Sequence, residues 1–258
     1  MAVPDGGPAP AIRPPTTEPD VARPAFYSRG RGDGGWGDWL SLLHPPYTAW
    51  HLSYVAIGAS LVHPIRLDRL GWSLLGFFLG LGIGAHVLDE LHGRPLRTGI
   101  PKWALITVGF GSIAGAGVDG WLVGGLRLLP FIAVGALLAI GYNLEWFGGV
   151  LHNSVGLAAS WGSFPVLTGY YTQHWSISIS AVLVAVTAFC LTVAQRTLST
   201  PARWLRRSAR DVRLSAVNAD GTSITLGTAD LLRPLEVALK LISWSFVPLA
   251  LGMVLAAR

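Results

Sequence analysis

The chain has 258 residues, of which 51% are hydrophobic and only 13% charged, and its mean hydropathy is +0.49. An ordinary soluble domain carries about twice that share of charge, so the composition excludes a soluble enzyme and predicts a polytopic membrane protein. The net charge of +5 raises the idea of nucleic acid, but the placement of the basic residues argues for topology and for no nucleic-acid partner.

Residues 1–35 hold seven of the seventeen prolines and no apolar run long enough for a signal peptide; they read as a disordered tail. Trp36-Gly-Asp-Trp-Leu-Ser-Leu-Leu-His44, within residues 36–45, reads as an amphipathic piece lying in the membrane interface with its tryptophans at headgroup level. Its functional reading is a lid or partner site. Residues 46–258 then form a transmembrane helical domain. Apolar runs at 46–63, 71–88, 103–118, 129–144, 154–171, 177–194 and 235–257 predict an all-α bundle of about seven spans. Glycines such as those of Gly76-Phe-Phe-Leu-Gly-Leu-Gly-Ile-Gly84 imply close helix packing. The single cysteine, Cys190, lies mid-span and rules out an internal disulfide.

With the amino terminus in the cytoplasm, the tail and the second, fourth and sixth connections hold fourteen of the nineteen basic residues, while Arg66, Arg69, Arg127 and Arg258 lie outside and Lys240 lies in the last span. That asymmetry predicts an integral membrane protein with a cytoplasmic amino terminus. The sixth connection, 195–233, is too long for a simple turn. Val212-Arg-Leu-Ser-Ala-Val, Asn-Ala-Asp-Gly and Thr-Ser-Ile-Thr-Leu226 predict a β-hairpin, either a lid over the cavity or a solvated excursion. Thr228 is expected to cap the next helix, with Asp230 in its first turn. Glu236 and Lys240, four apart, are expected to pair.

Ionisable groups gather at the predicted cytoplasmic edge. His86, Asp89, Glu90 and His92 end the second span, and a helix running through Glu90 places His86, Asp89 and Glu90 on one face. Glu145, His152 and Asn153 lie at the fourth connection, and Arg196, Asp211, Asp220 and Asp230 at the sixth. Such groups at membrane depth are expensive and point to function. His44, His51, His63 and His174 lie singly near span ends and read as interfacial.

In order and spacing the chain resembles the UbiA superfamily of intramembrane prenyltransferases over roughly residues 46–257. His86-Val-Leu-Asp89 followed by Arg94-Pro95, Arg97 and Pro101 is similar to the family's first acidic motif. Tyr142-Asn-Leu-Glu145, Asn153, Gly156 and Trp161-Gly-Ser-Phe-Pro165 are similar to its fourth and fifth spans. The resemblance implies a helical bundle around a lipid-open cavity, an isoprenoid diphosphate and a lipophilic or aromatic acceptor as partners, and Mg²⁺. By the same resemblance Asp89, Glu90 and Glu145 would carry catalysis and, together with the substrate-binding His86, would hold metal. Arg94, Arg97 and Arg196 would bind the diphosphate, Tyr142 and Asn153 would line the cavity, and Trp146 or Trp161 would stabilise a cation.

The chain departs from the pattern in three places. Aligned on Asp89, the leading acid is His86; aligned on Arg94-Pro95, the acidic positions fall on His86 and Glu90. The second acidic motif is not visible, since Asp211 and Asp220 are nine apart. About seven spans stand where the family has nine, so a partner or a homo-oligomer can complete the wall. Two further readings stay open: a Zn or Fe enzyme using His86, Asp89, Glu90, His92, Glu145 and His152, and a non-catalytic binder of membrane lipid or quinone.

Overall fold

The computed structural model describes residues 23–258, the side chain of Phe147 excepted. The described chain is mainly helical: α1 (Trp36–Leu42), α2 (Pro45–Ser60), α3 (Leu67–Asp89), α4 (Lys102–Arg127), α5 (Leu129–Asn143), α6 (Trp146–Gly149), α7 (154–174), α8 (Ile179–Arg207) and α9 (Thr228–Ala256). Strands β1 (Arg213–Val217) and β2 (Ser223–Gly227) form one antiparallel hairpin between α8 and α9.

Each of the seven apolar runs lies in a helix. Four helices, α3, α4, α8 and α9, are long and apolar enough to cross a membrane. With 15 residues, α5 is about 22 Å long, short of the ~30 Å hydrocarbon core. The 16-residue α2 is instead the centre of the bundle. Its Trp50, Tyr54, Val55 and Ala59 are buried, with α9 on one side and α7 on the other. Glycine makes the second contact possible. A Cβ on Gly58 would lie 2.1 Å from the Val166 carbonyl oxygen, and one on Gly169 would lie 2.2 Å from that of Val55. The backbones therefore cross at a distance that no side chain allows. The glycines of α3 act similarly: a Cβ on Gly84 would meet Ile113 of α4 at 2.7 Å.

Two helices carry π-helical stretches, Phe78–Ala85 in α3 and Ala159–Ser163 in α7. A wider turn shifts every later side chain around the helix axis relative to a 3.6-residue period, and such stretches gather at functional sites. The first immediately precedes His86 and the second contains Trp161.

Several expectations are corrected by the fold. Residues 23–35, expected to be disordered, are packed: the Ser41 hydroxyl accepts from the Arg29 and Gly30 N–H groups at 2.8 and 2.9 Å. Buried Asp38 accepts from Gly32, Gly34 and Gly99 at 3.1, 2.8 and 2.8 Å. Residues 1–22 lie outside the described part. The sixth connection begins later than expected, because α8 continues through Pro201 to Arg207. The hairpin forms around Asn218-Ala-Asp-Gly-Thr222, where the Asp220 carboxylate accepts from the Thr222 N–H at 2.9 Å and Gly221 supplies a left-handed φ of 84°. Its strands are mostly exposed and none of their residues lines the polar cavity described below, so it is not a lid in this structure. Glu236 pairs with Arg206 of α8 instead of Lys240, and the Lys240 ammonium lies 5.2 Å from the centre of the Phe26 ring. The Thr228 hydroxyl accepts from Val212, while Asp230 closes the start of α9 by accepting from Gly227.

Candidate functional site

A polar cavity of about 310 Å³ opens where α2, α3, α5, α7, α8 and α9 converge. The end of α3 contributes His86 and Asp89, separated by three positions and so on one face. Glu90 does not join them. The helix stops at Asp89, and the chain folds back over the Glu90 carboxylate, which accepts from Leu96 N–H at 2.9 Å, Thr98 N–H at 2.9 Å and the Thr98 hydroxyl at 2.8 Å. Glu90 is 0% exposed; it holds the loop 91–101 rather than a ligand.

Arg94 shares that structural duty. Arg94 donates to the Thr98 and Ile100 carbonyls at 2.8 and 2.6 Å, and Arg97 is exposed with a left-handed φ of 57°. Neither lines the cavity. The cavity's cations come from α8: Arg196, Arg203, Arg206 and Arg207. Positions 196, 203 and 207 are seven and then four apart, the spacing of one helical face. Arg206 is neutralised by Glu236 in a buried, two-pronged pair. Arg196 donates to the Tyr142 hydroxyl at 3.0 Å, and Arg207 to the Pro24 carbonyl at 3.1 Å. Among the described residues Arg196, Arg203 and Arg207 form no ion pair with a carboxylate. Asp89 lies within the electrostatic reach of His152, Arg207 and Arg203.

The opposite wall is the turn after α5. Glu145 adopts a left-handed φ of 51°, a conformation that costs a non-glycine residue of the order of 1 kcal/mol. Its carboxylate lies 3.5 Å from His92 Nε2 and 4.0 Å from His152 Nδ1. The His152 ring stacks on Tyr142 at 4.6 Å, and Tyr142 meets Trp161 edge to face at 6.0 Å. The expected asparagine is replaced by another. Asn153 caps α7 by accepting from Gly156 at 2.9 Å and does not line the cavity, whereas Asn143 does. Trp161 lines the cavity and Trp146 does not.

Two histidines expected at the interface belong to the site. His44 and His51 line the cavity with His86, and the His44 and His86 rings stack at 4.2 Å and 16°. Pro45 disfavours the right-handed helical region for His44, which adopts φ 44° and ψ 56° as α2 begins. Among the described residues His44 Nε2 and His51 Nδ1 are buried without a hydrogen-bond partner. Burial, reinforced by His86 and Arg207, holds the His44 imidazole well below the usual histidine range, so it is neutral at pH 7. A sequence signal existed: 44, 48 and 51 are spaced as one face of a helix, but pairing that face with His86 required the tertiary fold. His63 and His174 are exposed near helix ends.

Residues 24–27 roof the cavity. Arg206 Nη1 donates to the Arg23 carbonyl at 3.2 Å, and Tyr27 packs on Tyr47 at 5.6 Å and on His44 at 5.1 Å. Burial, reinforced by Tyr47, pushes the Tyr27 phenol above the usual tyrosine range against the opposing charge of Arg207. It therefore remains a neutral donor.

Among the described residues no three histidine, cysteine, aspartate or glutamate side chains converge to hold a metal ion. The six-residue Zn or Fe set is therefore not assembled, Glu90 least of all. Asp89 and Glu145 remain as the cavity carboxylates not engaged by an arginine. No known protein family, curated protein or solved structure compared with the chain matches it.

Proposed function

We propose that the chain is an intramembrane prenyltransferase-like enzyme, of about seven spans and with a cytoplasmic amino terminus, that takes an isoprenoid diphosphate into the polar cavity for prenyl transfer or terpene cyclisation. The observation that carries this reading is that Asp89, Glu145 and the three α8 arginines, 196, 203 and 207, line one aromatic-walled chamber. A diphosphate needs donors and positive charge, and arginine supplies both. Mg²⁺ is commonly held by one or two carboxylates together with substrate phosphates, so Asp89 and Glu145 fit an ion that arrives with the diphosphate. Such an ion would neutralise charge on the leaving group.

When the allylic carbon–oxygen bond breaks, the electron pair goes to the diphosphate, where Arg196, Arg203 and Arg207 stabilise it. The allylic cation faces Tyr47, Tyr142 and Trp161. A lipophilic acceptor, or a double bond of the same chain, then forms the new carbon–carbon bond. The proton it releases goes to His44 Nε2 or His51 Nδ1, the buried nitrogens without a partner among the described residues. The prenyl chain leaves past Leu157, Trp161 and Leu239, the apolar part of the wall.

The test is a titration of the purified protein with prenyl diphosphates of several lengths, with and without Mg²⁺. Expected is Mg²⁺-dependent binding weakened at least about tenfold in Asp89→Asn and in Arg203→Ala, and unchanged in Arg94→Ala. Binding indifferent to Asp89 and Arg203 overturns the reading. A second reading, a non-catalytic lipid or quinone binder, is favoured by the roof of residues 24–27; binding without product formation would support it.

A further inference from the structure

A second, apolar chamber of about 120 Å³ lies between α3, α4, α5 and α7, with Phe77, Phe131 and Phe164 in its wall. At one end it holds Asp119, 8% exposed, whose Oδ1 is buried with no hydrogen-bond partner among the described residues. Asp119 lies about 25 Å along α4 from Lys102, far from the end that carries the loop 91–101. Nearby cations do not reach it. Arg69 donates to the Thr172 and Gln173 carbonyls at 3.2 and 3.1 Å, and Arg69 and Arg127 both lie over the Trp175 ring. Asp119 Oδ2 instead approaches Gly76, where a Cβ would come within 2.5 Å of it.

The hydroxyl and carboxylate groups of the chamber offer hydrogen-bonding capacity of one kind. The Ser73 hydroxyl donates to Thr172 Oγ1 at 3.0 Å, Thr172 donates to the Gly169 carbonyl at 2.9 Å, and Thr168 donates to the Phe164 carbonyl at 2.8 Å. All three hydroxyl hydrogens are spent, so Ser73, Thr168, Thr172 and Asp119 offer only acceptors. A carboxylate buried without a partner is costly. A ligand that matches this wall brings donors, an apolar body and, to pair with ionised Asp119, positive charge. We propose that this chamber, which shares Trp161 with the wall of the polar cavity, is a second ligand site for a lipophilic primary amine. Its ammonium pairs with Asp119 and its hydrocarbon part lies against Phe77, Phe131 and Phe164.

The inference goes beyond the transferase reading and does not depend on it. The experiment follows tryptophan quenching of the purified protein in detergent by a bromine-tipped undecylamine and by the matching undecanol. Saturable quenching by the amine is expected, weakened at least about tenfold in Asp119→Asn as loss of a charge-assisted hydrogen bond implies, and unaltered in Asp89→Asn. The alcohol should give weak quenching, equal in the wild type and in Asp119→Asn. Because the asparagine variant can misfold, the wild type is also melted with each probe, and only the amine should raise its melting temperature. Equal behaviour of amine and alcohol, or amine binding that survives Asp119→Asn, overturns the proposal.

Discussion

The loop 91–101 and the cavity face of α8 both carry arginines, yet they handle charge in opposite ways. In the loop, Arg94 is consumed by main-chain carbonyls and Glu90 by main-chain N–H groups, so charge there shapes the backbone. On α8 the regular helix satisfies its own main chain. Arg196, Arg203 and Arg207 are left to project into a shared space, and only Arg206 is fully neutralised, by Glu236. Arg94 and Glu90 are thus recruited as scaffold, and three arginines on the rigid helix α8 remain available to a ligand.

The largest effect that sharpens this contrast is at the neutralised pair. Glu236→Ala removes the carboxylate that neutralises buried Arg206 and should cost about 3–5 kcal/mol, read as a loss of thermal stability in detergent. A cost below 1 kcal/mol would mean that Arg206, too, is held by the cavity rather than by α9. Next, Glu90→Ala strips acceptors from Leu96 and Thr98 and should cost about 3 kcal/mol, whereas Asp89→Ala should leave the melting temperature nearly unchanged. Equal stability losses at the two positions would break the division between scaffold and site.

The smallest expected effect is in acid, at the seam joining residues 30–38 to the loop. Burial alone would raise the Asp38 pKa, but N–H bonds from Gly99, Gly34 and Gly32 outweigh it and hold the carboxyl below its ordinary value. A carboxyl depressed by folding adds stability above its unfolded pKa, about 4, and loses it as pH falls through the folded value. Proteolysis between residues 23 and 35 should therefore quicken below about pH 4, and Asp38→Asn should show the quicker cleavage already at pH 7. Cleavage independent of pH in the wild type would show that Asp38 does not tie down the roof.

Local chemistry was legible in the sequence wherever a repeating spacing or a turn residue decided the outcome. The apolar runs predicted every helix that builds the bundle, and Asn218-Ala-Asp-Gly221 marked the hairpin turn. Spacing also held for His86 and Asp89, three apart on α3. It failed one residue later, because the face of Glu90 depends on where α3 stops, which is decided by hydrogen bonds from Leu96 and Thr98. The arginines of α8 were legible in principle at 196, 203 and 207, but the apolar run ends at 194, and only the fold shows the helix continuing through Pro201 to Arg207.

The sequence by itself determined an apolar helical chain with a polar edge and a hairpin, because hydropathy and turn preference act over a few neighbouring residues. The tertiary structure alone decided which polar groups share space: Asn143 rather than Asn153, His44 and His51 beside His86, α8 arginines rather than loop arginines, and residues 24–27 as the roof. Those outcomes rest on π-helical stretches that rotate side chains, on glycines that let backbones cross, and on buried hydrogen bonds between segments far apart in the chain.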